Sequence, residues 1–178
     1  PGPCPHRLER PHPMILAEIL QWFLIIVGAL LTFNAHWLGA HALCPGVVAR
    51  ARAQYERRPL RVTLVGLLIT APTLLIAVVL AKALPHPLVQ MGAIGLVLVL
   101  ALLAMVGSTG LVERIGYGLP ASRDTEQPWR RVLRGGTVLG LAFLMPFLGW
   151  VMLLPWTLIS GVGALALAGR AAPPVAAA

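Results

Sequence analysis

Long apolar stretches decide what this chain can fold into. From Met14 to Leu43 it reads MILAEILQWFLIIVGALLTFNAHWLGAHAL; Val62–Leu84 and Leu88–Val112 are more uniformly apolar, and Gly135–Gly169 is longer than one straight crossing needs. A run of about 20 apolar residues matches the roughly 30 Å hydrocarbon core of a bilayer. Only 11% of the residues are charged and 58% are hydrophobic, whereas soluble domains carry about a quarter charged residues. A water-facing surface cannot be built from that composition. The expected fold class is all-α: a polytopic transmembrane helical bundle with four or five membrane segments, at about 14–43, 62–84, 88–112 and 135–169. These form one domain over residues 14–170, after a disordered or interfacial lead-in at 1–13 and before a disordered tail at 171–178. The chain begins at Pro1 and its first methionine is Met14, so the lead-in reads as a fragment boundary or an extension upstream of the true start.

The formal net charge is +8, but its distribution does not point to nucleic acid. Arg50, Arg52, Arg57, Arg58 and Arg61 surround Glu56 in a first connector, 46–61. Arg114, Arg123, Arg130, Arg131 and Arg134 dominate a second, 113–134. Short connectors rich in Lys and Arg mark the cytoplasmic side of a membrane protein. Two spans separate these connectors, so they share a side. The expected location is a bacterial cytoplasmic membrane, with both basic connectors inside and the amino terminus and the Pro85-His86-Pro87 turn outside. The expected partners are the lipid bilayer and other membrane subunits, or a second copy of the chain. Within the first connector, Val47, Val48, Ala51 and Tyr55 recur at helical spacing. This reads either as an amphipathic helix lying on the bilayer with its arginines at anionic head groups, or as a solvated linker that only sets orientation. Arg130, Arg131 and Arg134 carry the same two readings.

Several residues are candidates for breaking or packing helices. Pro72 removes a backbone donor in mid-span and is expected to kink it, with Thr70 and Thr73 bonding the freed carbonyls. Gly92, Gly95, Gly107, Ser108 and Gly110 would let helix backbones approach closely. Pro146, Gly149 and Pro155 interrupt the last stretch, which is either a hairpin turning at Pro146–Gly149 or one kinked helix; the hairpin returns Arg170 to the side of the other arginines. Trp22 and Trp37 are about 22 Å apart along a helix and would mark the two interfacial belts. Cys4 and Cys44 flank the first span at opposite faces, which argues against a disulfide between them.

His36 and His41 are the sharpest candidates for chemistry, since a membrane imidazole can ligate haem iron or chlorophyll magnesium. Five residues of helix turn through about 500°, so the two rings point roughly 140° apart and do not form one site unaided. No cofactor is the leading expectation, with haem or chlorophyll the alternative. Glu18 and Gln21 lie near the start of the first span, where a carboxylate can reach water. No hydrolase, zinc-protease or phosphate-loop motif is present, so the chain is not expected to be an enzyme.

Three further patterns cover most of the chain from Pro45 onward: Arg57-Arg58-Pro59-Leu60-Arg61 leading to Gly66, Glu113-Arg114-Ile115-Gly116, and Pro146-Phe147-Leu148-Gly149-Trp150 followed by Gly161 and Gly163. In these the chain resembles bacterial multi-pass membrane domains of the bactofilin-associated type. The resemblance implies a helical membrane anchor or scaffold with its amino end outside and no known catalytic residues. Asn34, His36 and His41 depart from that pattern. The function expected is a non-catalytic scaffold, anchor or accessory subunit packed against other membrane proteins. A cofactor-bearing accessory subunit of a respiratory or photosynthetic complex, and a small transporter or channel, are the alternatives.

Overall fold

The computed structural model describes residues 12–83, 86–119, 127–145 and 147–170. The elements are α1 (His12–Leu43), α2 (Pro45–Arg57), α3 (Pro59–Ala83), α4 (Pro87–Tyr117), α5 (Trp129–Phe143), a π-helical turn (Leu148–Leu153) and α6 (Leu154–Arg170). The fold is an all-α bundle.

Proline sets three of the helix starts. Pro45, Pro59 and Pro87 each open a helix, where a missing N–H costs nothing. The residue before a proline is pushed out of the α region by its ring. Accordingly Cys44 (φ −131°, ψ 54°), Arg58 (φ −150°, ψ 73°) and His86 (φ −100°, ψ 131°) are the non-helical joints. The first basic connector is therefore a helix with a joint at each end. The second contributes its first residues to α4 and its last to α5, which starts six residues before Gly135.

Close contacts fix how the helices run. A Cβ at Gly107 of α4 would overlap the Gly161 carbonyl of α6, and one at Gly161 would overlap the Ala104 carbonyl. Gly66 of α3 meets Ile159 and Gly163, and Gly163 meets Val62, so α3 is antiparallel to α6. Along α5, Gly135 abuts Val112 while Gly116 abuts Arg131; Gly136 faces Asn34 and Trp37, and Gly140 faces Leu30. Helix α5 thus runs antiparallel to both α4 and α1, and α6 returns beside α4. The last apolar stretch is a hairpin whose two ends, Trp129 and Arg170, lie at the end of the bundle where α2 sits. That end carries most of the arginines and is called the basic end below.

Packing is concentrated there. Trp37, Tyr55, Val62, Val112 and Val132 are fully or almost fully buried. Toward the opposite end the helices are bare: every residue from Leu16 to Ile26 is exposed, as are nearly all of α3 beyond Thr73 and of α4 before Ala104. Such a surface is tolerated when lipid is the solvent, because acyl chains are as apolar as leucine. Among the described residues, four helical segments are long and apolar enough to cross a bilayer: Leu16–Leu43, Pro59–Ala83, Pro87–Tyr117 and Leu148–Arg170. The chain is a multi-pass membrane protein.

Five sequence readings need correction. Val48, Ala51 and Tyr55 do not face lipid; all three are buried against α4 and α6, because the residue facing them on α4 is Gly110, where a Cβ would come within 2.7 Å of the Arg52 nitrogen. Trp37 is 1% exposed and lies in the core, not in an interfacial belt. Within α3, which contains Pro72, the threonines do not bond the freed carbonyl: Thr73 donates to the Ile69 carbonyl at 2.7 Å, not to that of Leu68, which the proline leaves without its usual donor, and Thr70 Oγ1 has no partner among the described residues. Gly92 and Gly95 have nothing within 4 Å of a Cβ position, so they pack no helix of this chain. Pro155 is not a break, since it sits in the first turn of α6 directly after the π-helical turn. The turn itself involves Leu144–Phe147, and Pro146 lies outside the described residues. Gly149 permits the turn, because a Cβ there would meet the Ala142 carbonyl at 2.7 Å.

Candidate functional site

The buried polar residues of the bundle, Ser108, Thr109, Glu113, Thr157 and Ser160 among those described, gather in a layer toward the basic end. Trp37 Nε1 of α1 donates to Ser108 Oγ of α4 at 3.0 Å, and Ser108 donates on to the Met105 carbonyl at 2.8 Å. Tyr55 of α2 donates its hydroxyl to Ser160 Oγ of α6 at 3.1 Å, and Ser160 donates to the Thr157 carbonyl at 3.3 Å. Each chain ends on a backbone carbonyl, so the buried hydroxyls are satisfied, as a low-dielectric site demands. Burial pushes the Tyr55 phenol up to about 12, against a smaller opposing pull from Ser160.

Arginines clasp this layer from outside. Arg52 Nε lies 3.3 Å from Glu56 Oε1, and its Nη1 lies 3.7 Å from Oε1 of Glu113, which is only 9% exposed. Two guanidinium groups flank the Tyr117 ring, Arg52 at 4.2 Å and Arg131 at 4.5 Å from its centroid, and Arg131 also donates to the phenol oxygen at 2.7 Å. Stacking on an aromatic face suits a planar, weakly hydrated guanidinium. Arg114 donates to the Tyr55 carbonyl, and Arg50 to the Ala168 carbonyl at 3.0 Å. The clasp therefore ties α2 to α4 and α6, and α5 to α4.

The arginines singled out from the sequence divide into two groups. Arg50, Arg52 and Arg131 are engaged inside the protein, and half-buried Arg134 lies in the second turn of α5. Arg57, Arg58 and Arg61 are exposed at the α2–α3 joint, where their side chains hold no hydrogen bond or ion pair among the described residues. Arg130 lies over the exposed Trp129 ring at 5.4 Å. A cluster of guanidinium groups left open at a membrane boundary can take phosphate or another anionic head group.

His36 and His41 are half-buried on α1, and His36 Nε2 and His41 Nδ1 are buried without a hydrogen-bond partner. Among the described residues no three His, Cys, Asp or Glu side chains group as metal ligands. Asn34 packs against Gly136 but bonds within its own helix, to the Leu30 carbonyl at 2.9 Å. Cys44 is a free, exposed thiol, and Cys4 lies outside the described residues.

Sequence reasoning missed the roles of Glu113 and Tyr117 in the clasp, of Ser108, which it read only as a small packing residue, and of Ser160. A signal existed for the first two. Gly110, Glu113 and Tyr117 fall at i, i+3 and i+7, one helix face, but that face shows only if α4 is carried past Val112 into the basic connector. No protein-family model, curated protein or solved structure matches the chain.

Proposed function

We propose that this protein is a non-catalytic membrane scaffold or accessory subunit that packs laterally against other membrane proteins. It would reside in a bacterial cytoplasmic membrane, with the basic end on the cytoplasmic side and the amino terminus outside. One observation carries this reading: the two halves of the bundle are built differently. At the basic end, glycines bring helices into backbone contact and a polar layer locks them. At the other end, α1 from Leu16 to Ile26 has no side chain buried within the chain. Trp22 and Phe23, 65% and 60% exposed, head an aromatic and aliphatic surface free to meet another helix. The resemblance to bactofilin-associated membrane domains supports the same role. A photo-crosslinking residue at Phe23, activated in native membranes, should give a discrete protein adduct. Adducts to lipid alone would refute the reading.

A cofactor-bearing subunit is the second reading, favoured by the unpartnered imidazole nitrogens of His36 and His41. The apolar grooves beside Ala77–Ala93 and Thr70–Val162 are lined by neither histidine. A Soret or chlorin band in gently solubilised protein that disappears in His36→Ala or His41→Ala would support this reading over the first; a featureless spectrum would remove it.

A further inference from the structure

We infer that the α5–α6 hairpin is re-entrant: it enters the bilayer from the basic end and turns inside the hydrocarbon without reaching the far surface. The inference rests on the multi-pass reading of the chain. Helix α5 has 15 residues, or about 22 Å, against a hydrocarbon core of roughly 30 Å. Its usable reach is shorter still. Arg130, Arg131 and Arg134 occupy its first two turns and must stay at head-group level, since a guanidinium is costly at depth. From Arg134 to Phe143 the helix advances nine residues, about 14 Å. Snorkelling of Arg134 adds a few ångströms and does not close the gap.

Neighbouring helices give an independent ruler. Gly107 and Gly161 are in contact, so both helices can be measured from that crossing. Helix α4 continues 20 residues to Pro87, about 30 Å, whereas the return arm continues 14 residues to Phe147, at most about 21 Å. The hairpin tip stops at least about 9 Å short of the α3–α4 turn, and a tilted return arm stops shorter.

Chemistry at the two turns agrees with the difference in depth. The α3–α4 turn carries His86, with Lys82 on the helix leading into it. The hairpin tip exposes Met145, Phe147, Leu148, Trp150, Val151 and Met152, with no charged, amide or hydroxyl side chain among them. Four backbone donors at the tip are also spent internally. Leu144, Met145, Gly149 and Val151 donate to Leu141, Ala142, Met145 and Phe147 at 2.8–3.2 Å, and Pro146 has no N–H to satisfy. Irregular backbone survives at membrane depth only when its polar groups are met from within the protein. The segment Leu148–Arg170, the π-helical turn with α6, is long enough to cross by itself, but α5, which must bring the chain to its start, is not. Among the described helices, the far leaflet is then spanned by α1, α3 and α4 alone.

Single cysteines test this in a Cys4→Ser, Cys44→Ser background reconstituted into liposomes, with a membrane-impermeant maleimide on both faces. Phe147→Cys is the probe, and its 83% exposure means that no packing is lost. His86→Cys and Arg58→Cys should label. Phe147→Cys should lose labelling as fully as Val99→Cys in the middle of α4, and all four should react in SDS. Labelling of Phe147→Cys at the rate of His86→Cys overturns the re-entrant hairpin. Labelling of Val99→Cys instead shows that the membrane reading itself has failed. A nitroxide at Phe147 should collide with oxygen in preference to a water-soluble nickel chelate, as at Val99; the reverse preference also overturns the inference.

Discussion

Adding one methyl group at Gly107 should destabilise the protein and adding one at Gly95 should not, although both residues lie on α4. At Gly107 the new Cβ would overlap the Gly161 carbonyl oxygen and lie 3.1 Å from its Cα. The obstacle is backbone, which cannot rotate aside, so α4 and α6 must move apart. Separation by about 1 Å forfeits a quarter to a half of the dispersion energy along the contact. Overpacking of this kind costs about 1–3 kcal/mol. At Gly95 nothing lies within 4 Å, and alanine should stabilise the helix by up to about 1 kcal/mol. SDS-driven unfolding in mixed micelles, followed by tryptophan fluorescence, measures both. The SDS-denatured state keeps much of its helix, which reduces the propensity gain in both variants and leaves the packing cost at Gly107 as the main difference. Gly107→Ala should fall below the parent by about 1–3 kcal/mol, and Gly95→Ala should equal or exceed it. Equal stability of the two variants would refute the claim that α4 and α6 meet at Gly107.

Two further outcomes follow from the polar layer and its clasp. Tyr55 has its pKa raised from 10.0 to about 12 by burial, so the unfolded chain loses this proton first. Its stabilising contribution is therefore intact below pH 10 and is lost as pH rises toward about 12, a change of roughly 2–3 kcal/mol. In a Tyr117→Phe background, tyrosinate absorbance should appear near pH 12 in the folded protein, and a transition near pH 10 would show that Tyr55 is not buried. Replacing Arg57, Arg58 and Arg61 with Gln should weaken the stabilisation given by anionic over zwitterionic lipid by about 1 kcal/mol per arginine, while Arg52→Gln should lower stability in both lipids alike. The opposite pattern in nanodisc melting experiments would reverse the division between open and clasped arginines.

The helical class and the number of long apolar segments were legible because bilayer thickness fixes segment length, and length survives any detail of packing. The hairpin was half legible: Pro146, Gly149 and Arg170 pointed to it, but only the contacts of Gly135 with Val112 and of Gly161 with Gly107 establish the direction of each arm. The role of α2 was not legible. Its apolar positions fit a lipid-facing stripe as well as a protein-facing one, and the choice is made by Gly110 on a helix far along the chain. Trp37 was misplaced for a similar reason: an indole near the end of a span suits an interface, and only Ser108, 71 residues away in sequence, draws it inward. The clasp around Tyr117 escaped notice because its residues come from three segments and none forms a local motif.

Side-specific labelling of single cysteines at Arg58, Arg130 and His86, in sealed vesicles of known orientation, tests most directly whether the helices are threaded through lipid with the arginines on one side. Arg58→Cys and Arg130→Cys should react from the same side, and His86→Cys only from the other. Reaction of Arg58→Cys and Arg130→Cys from opposite sides would contradict the arrangement of the whole bundle.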